Sequence, residues 1–357
     1  MPSLGGWPSA LPGSPRAMSP LPAARGELSA FLLDHLRDEV HELSPSDIVR
    51  VAEPLSDDDL HLALYLGYEL HYRGLPGVDE RWEWEPSLLR LRRECERAFE
   101  DGLLAEIGPP EVAGPAADEM DLALRAVIEA DDAPSLSTYL ERDGTRDHML
   151  EFVVHRSAYQ LKEADPHSWA IPRLAGPPKV ALVEIQADEY GGGRPERVHA
   201  ELFAVTMAEL GLDRAYGAYL DRLPGVTLAT VNLMSLFGLH RRWRGAIVGH
   251  LAAFEMTSSV PNRRYANGLR RLGFGPRATD FFDEHVEADA VHENLAAVDL
   301  AGGLARQEPA LAADVVWGAR ALVEVEARWA RHLLGAWEAG QSSLLAPRRA
   351  LAASAPI

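Results

Sequence analysis

The segment Phe281–Leu295, FFDEHVEADAVHENL, sets His285, Asp289 and His292 at offsets 0, 4 and 7. At about 100° per residue these positions fall within roughly 60° of one helix face. Phe281, Leu295 and Ala296 continue that face, so an apolar stripe is interrupted by three side chains able to bind metal. Imidazoles and carboxylates on a core-facing stripe are costly unless paired or bound to a cation. The helix therefore needs a partner surface that brings ligand or counter-charge as well as apolar contact. The bland alternative, an exposed polar face of an acidic helix, conflicts with the flanking apolar residues, which point the same way.

Val180–Gly211 has the same character. It reads as a helix ending near Tyr190, a triple-glycine break at Gly191–Gly193 and a second helix opening at Pro195. Gly just past a helix end and Pro at a first helical position are the usual punctuation. Glu184, Asp188, Glu189, Glu196 and His199 stand there among Ala181, Val183, Ile185, Val198 and Phe203. Upstream, LKEADPH sets Glu163 and His167 four residues apart, on one face if the helix survives Pro166. The proline predicts a kink or bend at this carboxylate.

Long segments with apolar residues at i, i+3, i+4 and i+7 dominate and β patterning is nearly absent, which predicts an all-α fold. With 357 residues, 47% of them apolar, the chain can bury one large core. Its net charge of −19, with Lys162 and Lys179 the only lysines, argues against nucleic acid as a partner. A single cysteine, Cys95, excludes an intramolecular disulfide and a thiolate-rich metal cluster. No apolar run is long enough to span a membrane and no signal-peptide pattern opens the chain, so a soluble cytoplasmic protein is expected.

The organisation expected is a disordered tail over 1–24, a helical extension over 25–130, a core over 131–340 and a loose tail over 341–357. Within these, helices are expected at 26–42, as a short turn over 44–52, from Ser56, and at 86–104, 118–130, 135–143 and 146–162. Further helices are expected at 227–240 and 241–255, a loop at Ser258–Asn262, a helix at 263–272, and a closing pair within 309–335. His61, Glu69 and His71, on the helix after Ser56, read as a satisfied core network before they read as ligands.

Collected, Glu163, Glu189, His199, His285, Asp289 and His292 form an oxygen and nitrogen set without thiolate. Such a set suits iron or manganese better than structural zinc. It is too large for one metal with an open position and right for two metals bridged by a carboxylate, which helical bundles hold on facing helices. Glu196, paired with His199 at carboxylate–x2–His spacing, competes with Glu189, although a first-turn acid beside a helix N-terminus is ordinarily exposed. Glu255, in GHLAAFEMTSS, reads as the end of an apolar helix. It is an acceptor behind a ligand histidine, a further carboxylate near the metals, or a residue satisfied by backbone donors. His167 is a further alternative ligand.

LKEADPH, DEYGGGRPERVH and HVEADAVH, with the spacing from Glu163 to Glu189, resemble the haem-oxygenase-like diiron oxidases, or iron-containing redox enzyme family. The resemblance covers roughly Leu60–Leu334 and is clearest over Arg156–Glu293. It implies a haem-oxygenase-like helical bundle, with Glu163, then Glu189 and His199, then the His–Asp–His triad on successive core helices. It further implies two Fe2+, O2 as co-substrate, a ligand set shared with Mn/Fe, room for an external electron donor, and a homodimer. The implied activity is N-oxygenation, desaturation or C–C cleavage of a small amine- or carboxylate-bearing metabolite.

Bundles of this fold also bind haem or act as thiaminase-like hydrolases. Haem would leave most of the ligand-type residues unexplained, and a thiaminase-like role needs a pocket cysteine, whereas Cys95 lies far from the motifs. A non-catalytic iron-binding protein is a third reading. For the substrate, the arginines of HRRWRG and PNRRYANGLRR offer carboxylate clamps, and Tyr190 and Phe203 flank the ligands.

Overall fold

The computed structural model describes residues 20–44 and 51–346, except the side chains of residues 287–291. Most of the expected N-terminal tail, the turn within 44–52 and most of the C-terminal tail therefore lie outside the described residues, as does the Asp289 side chain.

Local chemistry sets the helix starts. After α1 (Glu27–Leu36), α2 (Asp58–Glu69) is capped by Asp57, whose carboxylate accepts from Leu60 N–H at 2.7 Å, satisfying a donor with no partner inside the helix. Helix α3 (Pro86–Ile107) opens on proline and α4 (Met120–Glu129) follows. Ser135 caps α5 (Leu136–Arg142) and Thr145 caps α6 (Arg146–Gln160). Then come the short α7 (Asp165–Ser168), α8 (Gly176–Glu189), α9 (His199–Glu209) and α10 (Gly225–Leu239). Helix α11 (Arg244–Arg271) is followed by α12 (Pro276–Asn294), a π-helical segment (Leu295–Gly302), α13 (Gly303–Gln307) and α14 (Ala312–Glu338). No strand occurs among the described residues.

Helix α11 is the central strut, packed against α14 and α12, while α10 lies along α2 and α14, and α9 along α12. The α11–α14 crossing is close because both helices present glycine. A Cβ on Gly249 would sit 1.7 Å from the Val315 carbonyl oxygen, and one on Gly318 would meet the Ala246 backbone. One buried apolar cluster runs from Leu28 through α2 and α10 to Val325; a second, including Phe152, Phe203, Phe281 and Trp329, joins α6, α9, α12 and α14.

Five boundaries depart from the sequence expectation. The first helix, expected over 26–42, ends at Leu36. The Ser258–Asn262 loop is helical, so α11 runs unbroken through Pro261. The closing pair of helices is the single α14, preceded by a 3-10 turn at Pro309–Leu311. Pro195–Arg197 is only a 3-10 turn, and the helix begins at His199 because Val198 has ψ 126°, outside the helical range. At Pro166 the helix does not kink but stops: α6 ends at Gln160 and α7 restarts at Asp165.

Candidate metal centre

Glu163 sits in the turn between α6 and α7, next to Ala164, whose φ of 74° is the one positive φ outside glycine among the described residues. Such a backbone persists where its surroundings hold it. Here the Gln186 side-chain amide donates to the Ala164 carbonyl at 2.8 Å and to Ser168 Oγ at 2.7 Å. Glu189 is the last residue of α8 and His199 the first of α9. The glycine turn brings them together: Gly191 has φ 79°, and a Cβ there would lie 2.7 Å from Val198 N. His285 and His292 face inward from α12, and Glu255 from the middle of α11.

Glu163, Glu189, His199 and His285 bring one ligand atom each to within 4.8 Å of one another, and so do Glu189, Glu255 and His292. Glu189 belongs to both groups. All six of these residues are buried. His199 Nδ1 is 2.9 Å from Glu189 Oε2, His285 Nε2 is 3.5 Å from Glu163 Oε1, and His292 Nδ1 is 3.5 Å from Glu255 Oε2.

These approaches are not hydrogen bonds in every case. Glu163 Oε2, Glu189 Oε2, His199 Nδ1 and His292 Nδ1 are buried without a hydrogen-bond partner. Buried polar atoms ordinarily find partners, and an isolated orphan would be costly. Several converging on one small space, at about the 3 Å spacing of neighbouring ligands on one cation, fit metal binding. The donor set of imidazole and carboxylate suits iron or manganese.

The ring nitrogens behind two ligands are held in place. His285 Nδ1 hydrogen-bonds the Phe281 carbonyl at 2.8 Å, which leaves Nε2 as the lone-pair nitrogen of the neutral ring. His292 Nε2 lies 3.0 Å from Asp188 Oδ2 and presents Nδ1 to Glu255. A carboxylate behind a ligand histidine fixes its tautomer and raises its basicity. Asp188 is 59% exposed at its side chain and had no sequence signal beyond sitting beside Glu189.

The electrostatics are those of a crowded site. Burial raises Glu163, and burial with the like charge of Glu189 raises Glu255. Burial works to raise Glu189 as well, but the imidazoles of His199, His285 and His292 together outweigh it and hold Glu189 at about 2. Burial works to lower His292, yet Glu255 and Asp188 raise it to about 9.

The other candidates lie elsewhere. Glu196 is exposed on its 3-10 turn and outside both groups. Glu255 is not at a helix end; it lies within the continuous α11, beside the histidine of the second group. His167 is buried next to the centre, its Nε2 3.2 Å from His250 Nδ1, and burial lowers it to about 4. Glu69 accepts from Lys162 at 3.0 Å and Tyr216 at 2.8 Å, while His61 and His71 bond Pro54 and Glu83. Each of the three has partners of its own, although Glu69 Oε1 is left without one, and none belongs to either ligand group.

A cavity of about 300 Å³ ends on Glu163 and His285. Phe203 lines it, whereas Tyr190 is turned outward and donates to Asp165 at 2.9 Å. Of the arginines expected as clamps, Arg264 donates to Ser135 and Ser137, which line the cavity, at 3.4 and 3.3 Å, and four others are paired elsewhere. Arg242 and Arg244 pair with Glu100 and Glu308, Arg270 with Asp283, and Arg271 bonds the carbonyls of Leu140, Glu141 and Gly144. The guanidinium in the cavity wall is Arg156. Cys95 is buried in α3, its thiol pushed up to about 12 by burial, and it does not line the cavity, which removes the nucleophile a thiaminase-like role needs.

Residues 150–327 match the model of a family described as iron-containing redox enzyme. The chain belongs to this iron-containing redox enzyme family. The matched region takes in every candidate ligand from Glu163 to His292, and the all-α bundle is the family's haem-oxygenase-like fold. A nitrosourea synthase from Streptomyces achromogenes subsp. streptozoticus is 29% identical over 137 residues. That alignment covers 38% of this chain and only 29% of the synthase. No described helix is long and apolar enough to cross a membrane.

Proposed function

We propose that this iron-containing redox enzyme is an O2-dependent oxidase or oxygenase with two metals per chain, acting on a small amine- or carboxylate-bearing metabolite. The observation that carries this reading is the sharing of Glu189 between two buried ligand groups, next to a cavity lined by Glu163 and His285. Glu163, His199 and His285 would hold one metal, Glu255 and His292 the other, with Glu189 between them. Asp289, one turn before His292, is the further ligand proposed from the sequence. Iron bound there would supply the reduction of O2 and the oxidation of substrate.

The chain's own residues prepare that chemistry. Asp188 and the Phe281 carbonyl fix which imidazole nitrogens point inward. Phe203, Phe254 and Phe282 give the cavity an apolar wall beside Glu163 and His285. The name of the synthase relative supports oxidation at nitrogen as one of the reactions to test first.

Anaerobic Fe(II) addition followed by metal analysis and Mössbauer spectroscopy tests the reading. The expected result is close to two irons per chain, one for each ligand group, with O2 uptake stimulated by an added amine or carboxylate. One iron or none, or iron without substrate-dependent O2 uptake, would sink it in favour of a mononuclear site or an iron-binding protein.

A further inference from the structure

The turn that carries Glu163 has little backbone support of its own. Between α6 and α7 the Glu163 N–H reaches the Gln160 carbonyl only at 3.5 Å, and Ala164 takes its positive φ. From the side of α8 the turn is held by Gln186 on the Ala164 carbonyl and by Tyr190 on Asp165. Its other side meets the end of α2 and the residues just after it. There the Arg73 guanidinium donates to the Leu161 carbonyl at 2.8 Å and lies 3.8 Å from Asp165 Oδ2.

Lys162 is the centre of the same contact. It is buried, although an ammonium group is rarely taken out of water without a partner. Its Nζ donates to Glu69 Oε2 at 3.0 Å, and the Tyr216 hydroxyl donates to the same oxygen at 2.8 Å. The rings of Tyr72 and Tyr65 lie 4.3 and 4.9 Å from Nζ, within the range of a cation–π contact. Lys162 and Glu163 are neighbours in sequence, yet one reaches α2 while the other joins the ligands Glu189, His199 and His285.

A buried ion pair adds little stability over well-packed apolar residues, so the Lys162–Glu69 pair calls for another role. We propose that Glu69, Arg73 and Lys162 are positioning residues: the end of α2 grips the turn by the Leu161 carbonyl and the Lys162 ammonium, and so holds the Glu163 carboxylate among the ligand atoms of Glu189, His199 and His285. Glu163 needs this more than the others do. Glu189, His199, Glu255, His285 and His292 all stand on helices, whereas Glu163 stands in a turn, and a carboxylate free to swing loses backbone and rotamer freedom when it is captured. Glu69 and Arg73 lie outside residues 150–327 that match the family model, so the N-terminal helices supply part of the support for the centre.

The grip acts before any metal arrives, so loosening it has two consequences. In metal-free protein the turn opens more often, which amide exchange reports. On loading, the iron of the group with Glu163 binds more weakly, while the iron of Glu255 and His292 is unaffected. Which iron weakens rests on the two-metal reading; the grip on the turn does not.

Hydrogen–deuterium exchange of the metal-free protein and anaerobic Fe(II) titration are measured on Arg73→Met, Arg73→Lys, Glu163→Gln and the double variant Glu69→Gln with Lys162→Met. The double variant removes both buried charges and leaves Tyr216 an acceptor. Arg73→Met should speed exchange over residues 160–166 and weaken one of the two irons at least about tenfold, with circular dichroism and thermal midpoint near the parent's. Arg73→Lys, which keeps a donor, should recover most of both effects. The double variant should resemble Arg73→Met; if it does not fold, Arg73→Met decides, since that side chain is 40% exposed. Glu163→Gln should lose the same iron with parent-like exchange. Parent-like exchange or parent-like iron binding in Arg73→Met overturns the proposal, and so does equal weakening of both irons, the mark of a merely structural tie. In each of those cases a parent with two irons leaves the two-metal reading intact. A parent with one iron ends that reading instead, and the proposal then stands or falls on whether Arg73→Met weakens that iron as it speeds exchange.

Discussion

At the scale of single residues, Glu189 and Glu255 carry different weight although both are buried carboxylates at the same centre. Glu189 belongs to both ligand groups, whereas Glu255 belongs only to the one with His292. On the two-metal proposal, Glu189→Gln should therefore abolish iron binding, and Glu255→Gln should leave the group of Glu163, His199 and His285 able to hold one iron. Metal analysis after anaerobic loading, with helical circular dichroism as the folding control, separates the two variants. Parent-like iron content in Glu255→Gln would refute the assignment. The difference between these carboxylates was not legible in the sequence. Glu189 is announced by the glycine break and a histidine nearby. Glu255 sits before Ser258 and Pro261 and so reads as a helix end, and only the facing histidine distinguishes it. Asp188 was less legible still, since an exposed acid one residue from a ligand is indistinguishable from any surface carboxylate.

At the scale of elements, the helix content follows from apolar periodicity, while the errors cluster where loop-forming residues do other work. Thr257, Ser258, Pro261 and Asn262 look like a loop because polar and proline-containing segments normally face water. Here they line the cavity, and tertiary packing of α11 against α12 and α14 carries the helix through. Thr257 Oγ1 bonds back to the Ala253 carbonyl at 2.8 Å, one turn before the proline that leaves a backbone donor missing. The glycine turn is the opposite case, legible and functional. Gly191 needs both its positive φ and its lack of Cβ, whereas Gly192, at φ 57°, has open space where its Cβ would be. Gly191→Ala should cost about 2–3 kcal/mol and push Glu189 away from His199, and Gly192→Ala only about 1 kcal/mol. Chemical denaturation with iron titration checks the pair. If both variants bind iron as the parent does, the turn is not what sets the distance between Glu189 and His199. The π-helical segment after His292 had no sequence signal. Its Leu, Ala and Val residues suit an ordinary helix, and π turns often mark functional sites.

At the scale of the whole molecule, the buried imidazoles tie stability to pH. Burial lowers His61 and His155 to about 3. His61 Nε2 donates to the Pro54 carbonyl at 2.8 Å, so its Nδ1 accepts from the Asn232 amide at 3.2 Å. The Ser343 hydroxyl donates to Glu151 at 2.6 Å and so accepts from His155 Nε2 at 3.0 Å, leaving His155 Nδ1 to accept from Thr227. The His61 ring is satisfied only in its neutral form, and burial disfavours the charged form of both rings. The unfolded chain takes up a proton on such a ring near pH 6.5 and the folded one does not until about pH 3. More protons are then bound by the unfolded state, so the stabilisation from each ring is complete above about pH 6.5 and is lost as pH falls, by up to about 1.4 kcal/mol per pH unit. His155→Gln keeps hydrogen-bonding capacity without the titration. Its unfolding free energy, lower than the parent's at neutral pH, should fall less steeply with acid, the slopes differing by about 1 kcal/mol per pH unit between pH 6 and pH 5. His155 lies outside the metal centre, so this difference should persist with and without iron. Parallel slopes in urea titrations across that range would mean that His155 takes up its proton in the folded protein, and that burial between Thr227 and Ser343 does not keep it neutral.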